Sequence, residues 1–107
     1  MSEVGGRDPN IEFFLGEMRQ RFGDRLREVV LFGSRARGDM SEDSDYDCLA
    51  VFDEVPSEAN GAIDRIAGKM LIESGAVFSI FPIDARKYRS DKYDPFLMSV
   101  RREGRVL

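Results

Sequence analysis

Two short stretches hold the residues best suited to chemistry, Gly33-Ser34 and Asp45-Tyr46-Asp47. Gly33 directly follows the apolar run Val29-Val30-Leu31-Phe32, where a glycine lets the backbone turn tightly and a ligand come close. Ser34 then falls at the start of a short helix. Free amides and a hydroxyl there suit an anion such as a triphosphate tail. Gly-Ser by itself reads more simply as a strand-to-helix turn with a capping serine. No Gly-Lys-Ser/Thr follows, so the stretch is not a Walker A loop. Asp45 and Asp47 stand at i and i+2 where a second strand opens, which places both carboxylates on one face. Side by side they repel, and one tends to stay protonated unless a cation intervenes. Mg²⁺ takes hard oxygen ligands, commonly one or two carboxylates together with substrate phosphates. Taken alone, the pair is equally a solvated, polar strand entry. Ser34 lies eleven residues before Asp45, with Arg35 and Arg37 between. That combination points to an anion cradle and a metal pair at the ends of neighbouring strands.

The surrounding pattern supplies the elements needed to hold them. Ile11, Phe14, Leu15, Met18 and Phe22 recur at helical spacing, with Pro9-Asn10 as a start and Gly23 as a stop. Val29–Phe32 reads as a first strand. Tyr46–Phe52 reads as a second, its near-continuous apolar residues implying burial on both faces. Pro56-Ser57 opens a helix in which Ala59, Ala62, Ile63, Ile66, Ala67, Met70 and Leu71 line one side, and Gly75 closes it. Ala76–Ile83 is a third strand, with Pro82 marking an edge or a strand end. Residues 84–93 are polar and irregular. Pro95–Glu103 forms a last helix, with Phe96, Leu97 and Val100 inward and Gly104 as its stop. The expected fold is α/β (α+β): a small mixed β-sheet of three or more strands with helices packed on it. Residues 1–9 are expected to be a flexible tail and residues 10–107 one domain.

Composition narrows the chemistry. With 107 residues the chain fits one domain and buries a core without staples. It has no histidine, which excludes serine–histidine hydrolysis and His-ligated zinc. Cys48 is the only cysteine, so there is no internal disulfide, and it reads as a small buried strand residue. The net charge of −4 argues against a free-standing nucleic-acid binder. No membrane span or apolar signal core is evident, and a cytoplasmic, reducing location is expected. Charge is segregated: nine acids and no bases lie between Gly38 and Asp64, and seven bases with three acids lie between Arg86 and Leu107. Such a field suits a site holding cations and a polyanion together, although solvated faces also produce it.

The run GSRARG…SDYDCLAV resembles the Gly-Ser-x-x-Arg-Gly…Ser-Asp-x-Asp-hydrophobic signature of DNA polymerase beta-like nucleotidyltransferases. More narrowly it is similar to the minimal nucleotidyltransferases. The motif covers residues 31–52, and the order of strands and helices agrees over most of the chain. The resemblance implies that Gly33 and Ser34 hold the β- and γ-phosphates of ATP or another NTP, with Arg37 counted among the nucleotide-binding residues. Arg37 and Gly38 match the Arg-Gly that ends the short helix. Asp45 and Asp47 match the catalytic, metal-binding carboxylates. The implied chemistry is transfer of a nucleoside monophosphate, AMP from ATP, to a hydroxyl with two Mg²⁺ ions. One departure stands out. Family members usually carry a third carboxylate on the next strand, and Val77–Ile83 contains none. Asp84, just past it, is the nearest acid and the remaining metal-ligand candidate, although a strand-end or capping role suits it as well.

Some antitoxin-type members share a Ser-x-x-Pro-like strand and a closing Phe…Arg-Arg-Glu-Gly run, and Phe96–Gly104 resembles that ending. The resemblance therefore implies either an enzyme modifying a hydroxyl on a partner protein or an antitoxin-like module neutralising a HEPN-type helical toxin. A three-stranded domain of this size has little surface left to recognise an acceptor, so a protein partner or a homo-oligomer is expected to complete the site. Arg35 reads as a phosphate ligand or a solvated side chain. Arg101, Arg102 and Arg105 read as a partner or nucleotide contact, or as bases complementing a helix end. Phe13, Phe14 and Phe22 read as core or interface.

Overall fold

The computed structural model describes residues 8–37 and 45–107, apart from the side chains of Ser34 and Arg37. The expected residues Gly38 and Ser44 lie outside the described residues, as do residues 1–7 of the expected tail.

Helix α1 spans Pro9–Phe22. Asp8 caps it, its carboxylate accepting the Asn10 N–H at 2.7 Å, and Pro9 occupies the first turn, where its missing N–H costs nothing. Asp8 and Pro9 thus belong to the folded unit rather than to the expected tail. A single 3₁₀ turn, Gly23–Arg25, leads into β1, Leu26–Phe32. The short helix α2, Ser34–Arg37, follows at once. Strand β2 is Tyr46–Phe52, and α3 is Ala59–Ser74, closed by Gly75 in the left-handed conformation. Strand β3, Phe78–Asp84, runs into α4, Ala85–Ser90, within the stretch expected to be irregular. Helix α5 is Pro95–Glu103 and β4 is Arg105–Val106.

The mixed sheet has the order β3-β2-β1-β4. Strand β1 is antiparallel to β2 and β4, whereas β2 and β3 are parallel, joined across α3. Strand β3 is an edge, where Pro82 forfeits no ladder bond it needs. The two-residue β4 was not legible in the sequence because Gly104 was read only as a stop. A Cβ at Gly104 would lie 2.3 Å from the Val100 carbonyl oxygen and 2.5 Å from Val30 Cγ1. Only glycine lets the chain pass so close to β1 on its way from α5 to the sheet.

Helices α1 and α3 cover one face of the sheet. Their buried stripes, Phe14, Leu15, Met18 and Phe22 from α1 and Ala62, Ile63, Ile66 and Met70 from α3, meet Val29, Leu31, Cys48, Ala50 and Phe52. Phe14 stacks on Phe78 at 4.5 Å between centroids and is fully buried. Truncating it to alanine is expected to cost about 3–5 kcal/mol. On the other face Ala85, Leu97 and Val100 pack on Val30, Leu49 and Val51. Strand β2 is therefore buried from both sides, as its unbroken apolar run requires. No helix among the described residues is long and apolar enough to cross a membrane.

Candidate active site

The site grows from the pairing of β1 with β2. The antiparallel register sets Phe32, the last residue of β1, opposite Asp47. Gly33 comes next with φ +78°, a conformation that side chains rarely adopt. The space a side chain would take is filled: a Cβ at Gly33 would lie 2.6 Å from Asp47 Oδ2. The carboxylate thus rests against the glycine backbone at the point where α2 begins. Strand alternation sends Tyr46 to the α1 face and Asp47 to the face of Leu49 and Val51. Asp45, just before the strand and exposed, falls on the Asp47 side.

Electrostatics agree with this proximity. Partial burial raises the Asp47 carboxyl above its ordinary value, and the charge of Asp45 raises it further. Two carboxylates so placed are a hard-oxygen donor pair whose repulsion a divalent cation would relieve. Mg²⁺ is suited to such a pair when substrate phosphates complete its coordination. Among the described residues no group of three acidic, histidine or cysteine side chains is positioned to hold a metal by itself. The donor chemistry therefore fits Mg²⁺ delivered with a nucleotide better than a resident all-protein metal site.

Between the two aspartates, Tyr46 anchors the strand. Its hydroxyl donates to Asp8 Oδ2 and also accepts from Asn10 Nδ2 at 3.4 Å. Its ring stacks on Phe78 at 4.4 Å. The Arg35 guanidinium lies over the other side of that ring at 3.9 Å and stands 3.7 Å from Asp8. Of the two readings of Arg35, the solvated arginine is set aside by its packing. Only 12% of its side chain is exposed, and it ties α2 to β2 and to the cap of α1. The Asp8–Tyr46 contact is not evident from the sequence, where Asp8 falls in the expected tail. An aspartate immediately before Pro-Asn at a helix start was the available signal.

Asp84 does not join the pair. In the β2–β3 register Asp47 lies opposite Ser79 and Phe52 opposite Asp84. Asp84 is thus five residues beyond the Asp47 level, roughly 16 Å along the strand. Its carboxylate accepts the Val55 N–H at 2.7 Å and fixes the loop after β2. The expectation that Asp84 helps bind metal is corrected accordingly. The residue that faces Asp47 from β3 is Ser79, a neutral hydroxyl. The backbone of Gly33 and the α2 start thus come together with Asp45 and Asp47, and Asp84 stays apart. Burial pushes the Cys48 thiol up to about 12, consistent with a packing role. Arg101 donates to the Tyr88 carbonyl and, at 3.1 Å, to the Asp91 carbonyl, joining α5 to α4.

The family model of the nucleotidyltransferase domain matches residues 11–96. The Methanocaldococcus jannaschii protein named "Putative protein adenylyltransferase MJ0604" is 32% identical over 97 residues, covering 91% of this chain and 93% of its own. Protein adenylyltransferase MntA of Thermococcus cleftensis is 54% identical over 41 residues, 38% of this chain and 39% of its own. A crystal structure of a toxin-antitoxin with AMP-PNP superposes with TM-score 0.62 at 20% identity, over 89% of this chain and 70% of that one. A structure of tri-AMPylated Shewanella oneidensis HEPN toxin in complex with MNT antitoxin gives TM-score 0.58 at 17% identity, over 91% and 67%. At these identities the structural likenesses establish the fold.

Proposed function

The chain belongs to the nucleotidyltransferase domain family, and on that premise we propose that it transfers AMP from ATP to a hydroxyl on a partner protein. The observation that carries the reading is the Asp47 carboxylate seated against Gly33, with Asp45 beside it and α2 starting at the next residue. The relatives named as protein adenylyltransferases support the substrate, and the neighbour solved with AMP-PNP supports the nucleotide.

In this reading Asp45 and Asp47 hold Mg²⁺, which neutralises charge on the triphosphate when bound. The backbone at Gly33 and the amides opening α2 receive the β- and γ-phosphates, with Ser34 and Arg37 the matching motif residues. The acceptor oxygen forms a bond to the α-phosphorus as the bond to pyrophosphate breaks, and pyrophosphate departs with the electron pair. The acceptor's proton is released as the new bond forms, and Ser79, the residue opposite Asp47 on β3, carries no carboxylate to receive it. The chain's contribution is placement and electrostatics.

Ser79 also favours a second reading, an antitoxin-like module that binds nucleotide and neutralises a HEPN-type toxin with little transfer. The structures of toxin-antitoxin pairs support a helical protein partner in either case. Two measurements test the proposal. Calorimetry should show Mg²⁺-dependent ATP binding that Asp45→Asn with Asp47→Asn abolishes, and unchanged binding in that variant refutes the metal pair. Labelled ATP incubated with the co-purifying partner should label that partner. A tight complex without label supports the binding module instead.

A further inference from the structure

Three phenylalanines on the carboxylate-bearing face are not used by the chemistry above. Phe32, Phe81 and Phe96 form a closed ring cluster, with centroids 5.3 Å apart for Phe32–Phe96, 5.7 Å for Phe81–Phe96 and 6.1 Å for Phe32–Phe81. They come from three elements: β1, β3 and the first turn of α5. The first two flank β2 from opposite sides, so their rings lean toward each other over its buried Leu49. Phe81 and Phe96 keep 44% and 42% of their surface exposed. Phe81 and Phe96 thus present a partly exposed aromatic surface on the carboxylate-bearing face.

Their place relative to the carboxylates is set by register. Phe32 lies directly opposite Asp47. Phe81 lies opposite Leu49, two residues on from the Ser79–Asp47 level, which is about 7 Å along the strand. A nucleotide anchored through its phosphates at Gly33 and the aspartates has its base about a ribose away, and on this face the neighbouring surface is aromatic. Aromatic rings bind a nucleobase by stacking, with no hydrogen-bond partner required. That matches a cluster with no polar group among its three rings.

We propose that Phe81, buttressed edge-to-face by Phe96 and backed by Phe32, presents the ring that stacks the purine base of the nucleotide. The proposal rests on the nucleotidyltransferase reading and adds the residues that set its base preference. An exposed aromatic face holds larger π-surfaces more tightly, so purine triphosphates bind better than pyrimidine ones and the triphosphate moiety alone binds without it.

The test is calorimetry of the full chain with Mg²⁺ and three probes: ATP, CTP and inorganic tripolyphosphate. The wild-type chain should bind ATP more tightly than CTP. Phe81→Ala should weaken ATP about tenfold, as loss of one stacking partner does, with tripolyphosphate unchanged. Phe81→Tyr, which keeps the ring, should retain ATP affinity. Equal ATP affinity in wild type and Phe81→Ala overturns the stacking role and leaves the metal pair standing. Equal losses of ATP and tripolyphosphate in Phe81→Ala also overturn it, because the ring then acts on the fold. Loss of partner binding with ATP affinity intact overturns it in favour of a protein contact. A wild-type chain that binds no Mg²⁺·ATP refutes both this proposal and the function beneath it.

Discussion

Gly33→Ala is the sharpest single perturbation of the site, because two separate physical effects meet there. The first is backbone strain. At φ +78° an L-residue with a Cβ is disfavoured by roughly 1–2 kcal/mol. For a domain of this size that corresponds to a melting temperature lower by roughly 5–15 °C. The second is displacement. The new methyl would lie 2.6 Å from Asp47 Oδ2 and 3.5 Å from Asp47 Cβ and Cγ, so the carboxylate must give way. A shift of about half an ångström or more is hard to reconcile with a cation that demands near-ideal octahedral geometry. Mg²⁺·ATP affinity is expected to fall about tenfold or more, and AMP transfer by about 100-fold, the scale of an ångström-level misplacement. Gly16→Ala is the control. Gly16 lies in α1 with nothing within 4 Å of an added Cβ, and alanine there should stabilise by about 0.5–1 kcal/mol. Thermal melts and calorimetry on the pair read both effects. A Gly33→Ala chain that melts with wild type and binds Mg²⁺·ATP equally would show that the glycine and Asp47 do not form one site.

Three further outcomes follow from the same geometry. The folded state raises the Asp47 carboxyl, so the native chain holds that proton more tightly than the unfolded chain, and stability is lost as pH rises through the interval above its ordinary value of 3.8. Asp47→Asn should therefore melt at or above wild type near neutral pH and lose that advantage below about pH 4, and Mg²⁺ with ATP should raise the melting temperature of wild type alone. Asp84→Ala should leave Mg²⁺·ATP binding unchanged while costing about 1 kcal/mol in urea titration, because the Val55 N–H loses its acceptor; a fall in nucleotide affinity would return Asp84 to the metal site. Asp8→Ala removes the cap of α1 together with the Tyr46 and Arg35 contacts, and should cost about 1–3 kcal/mol by the same titration; an unchanged midpoint would rule out the anchoring role.

What the sequence revealed and what it hid divide along a physical line. The core stripe of α1 and the both-faces burial of β2 were legible because periodicity is a direct image of a face. The glycine–serine turn and the aspartate pair were legible because their spacing is short and local. Register was not. That Ser79 rather than Asp84 faces Asp47 depends on how β3 slides along β2, and a shift of a few residues moves the candidate by many ångströms. The Phe32–Phe81–Phe96 cluster was hidden for the same reason, since it joins residues from three distant segments. That Arg35 packs on Tyr46 and stands beside Asp8 was hidden as well, because the three residues come from separate segments. Helix α4 was missed because its exposed bases carry no apolar period beyond Ala85 and Tyr88.

Ser79, opposite Asp47 on β3, bears on what a protein partner would contribute to the proposed transfer. The nucleotide end of the reaction requires a phosphate cradle and two carboxylates, and β1, α2 and β2 supply them within a span of fifteen residues, Gly33–Asp47. The acceptor end requires a group beside Asp47 that draws a hydroxyl toward the α-phosphorus and eases its proton away. Strand β3 places a neutral hydroxyl there. Among the described residues no third acid stands with the pair, so in the proposed reaction the rate depends on how well the surface that brings the acceptor in fixes the hydroxyl's position. Water, which no surface fixes, would gain least from such a site. A docked protein that presents one oriented hydroxyl gains most. A weak acceptor site is in this sense a source of selectivity, because transfer proceeds only when binding energy from elsewhere on the partner supplies the alignment that Ser79 does not.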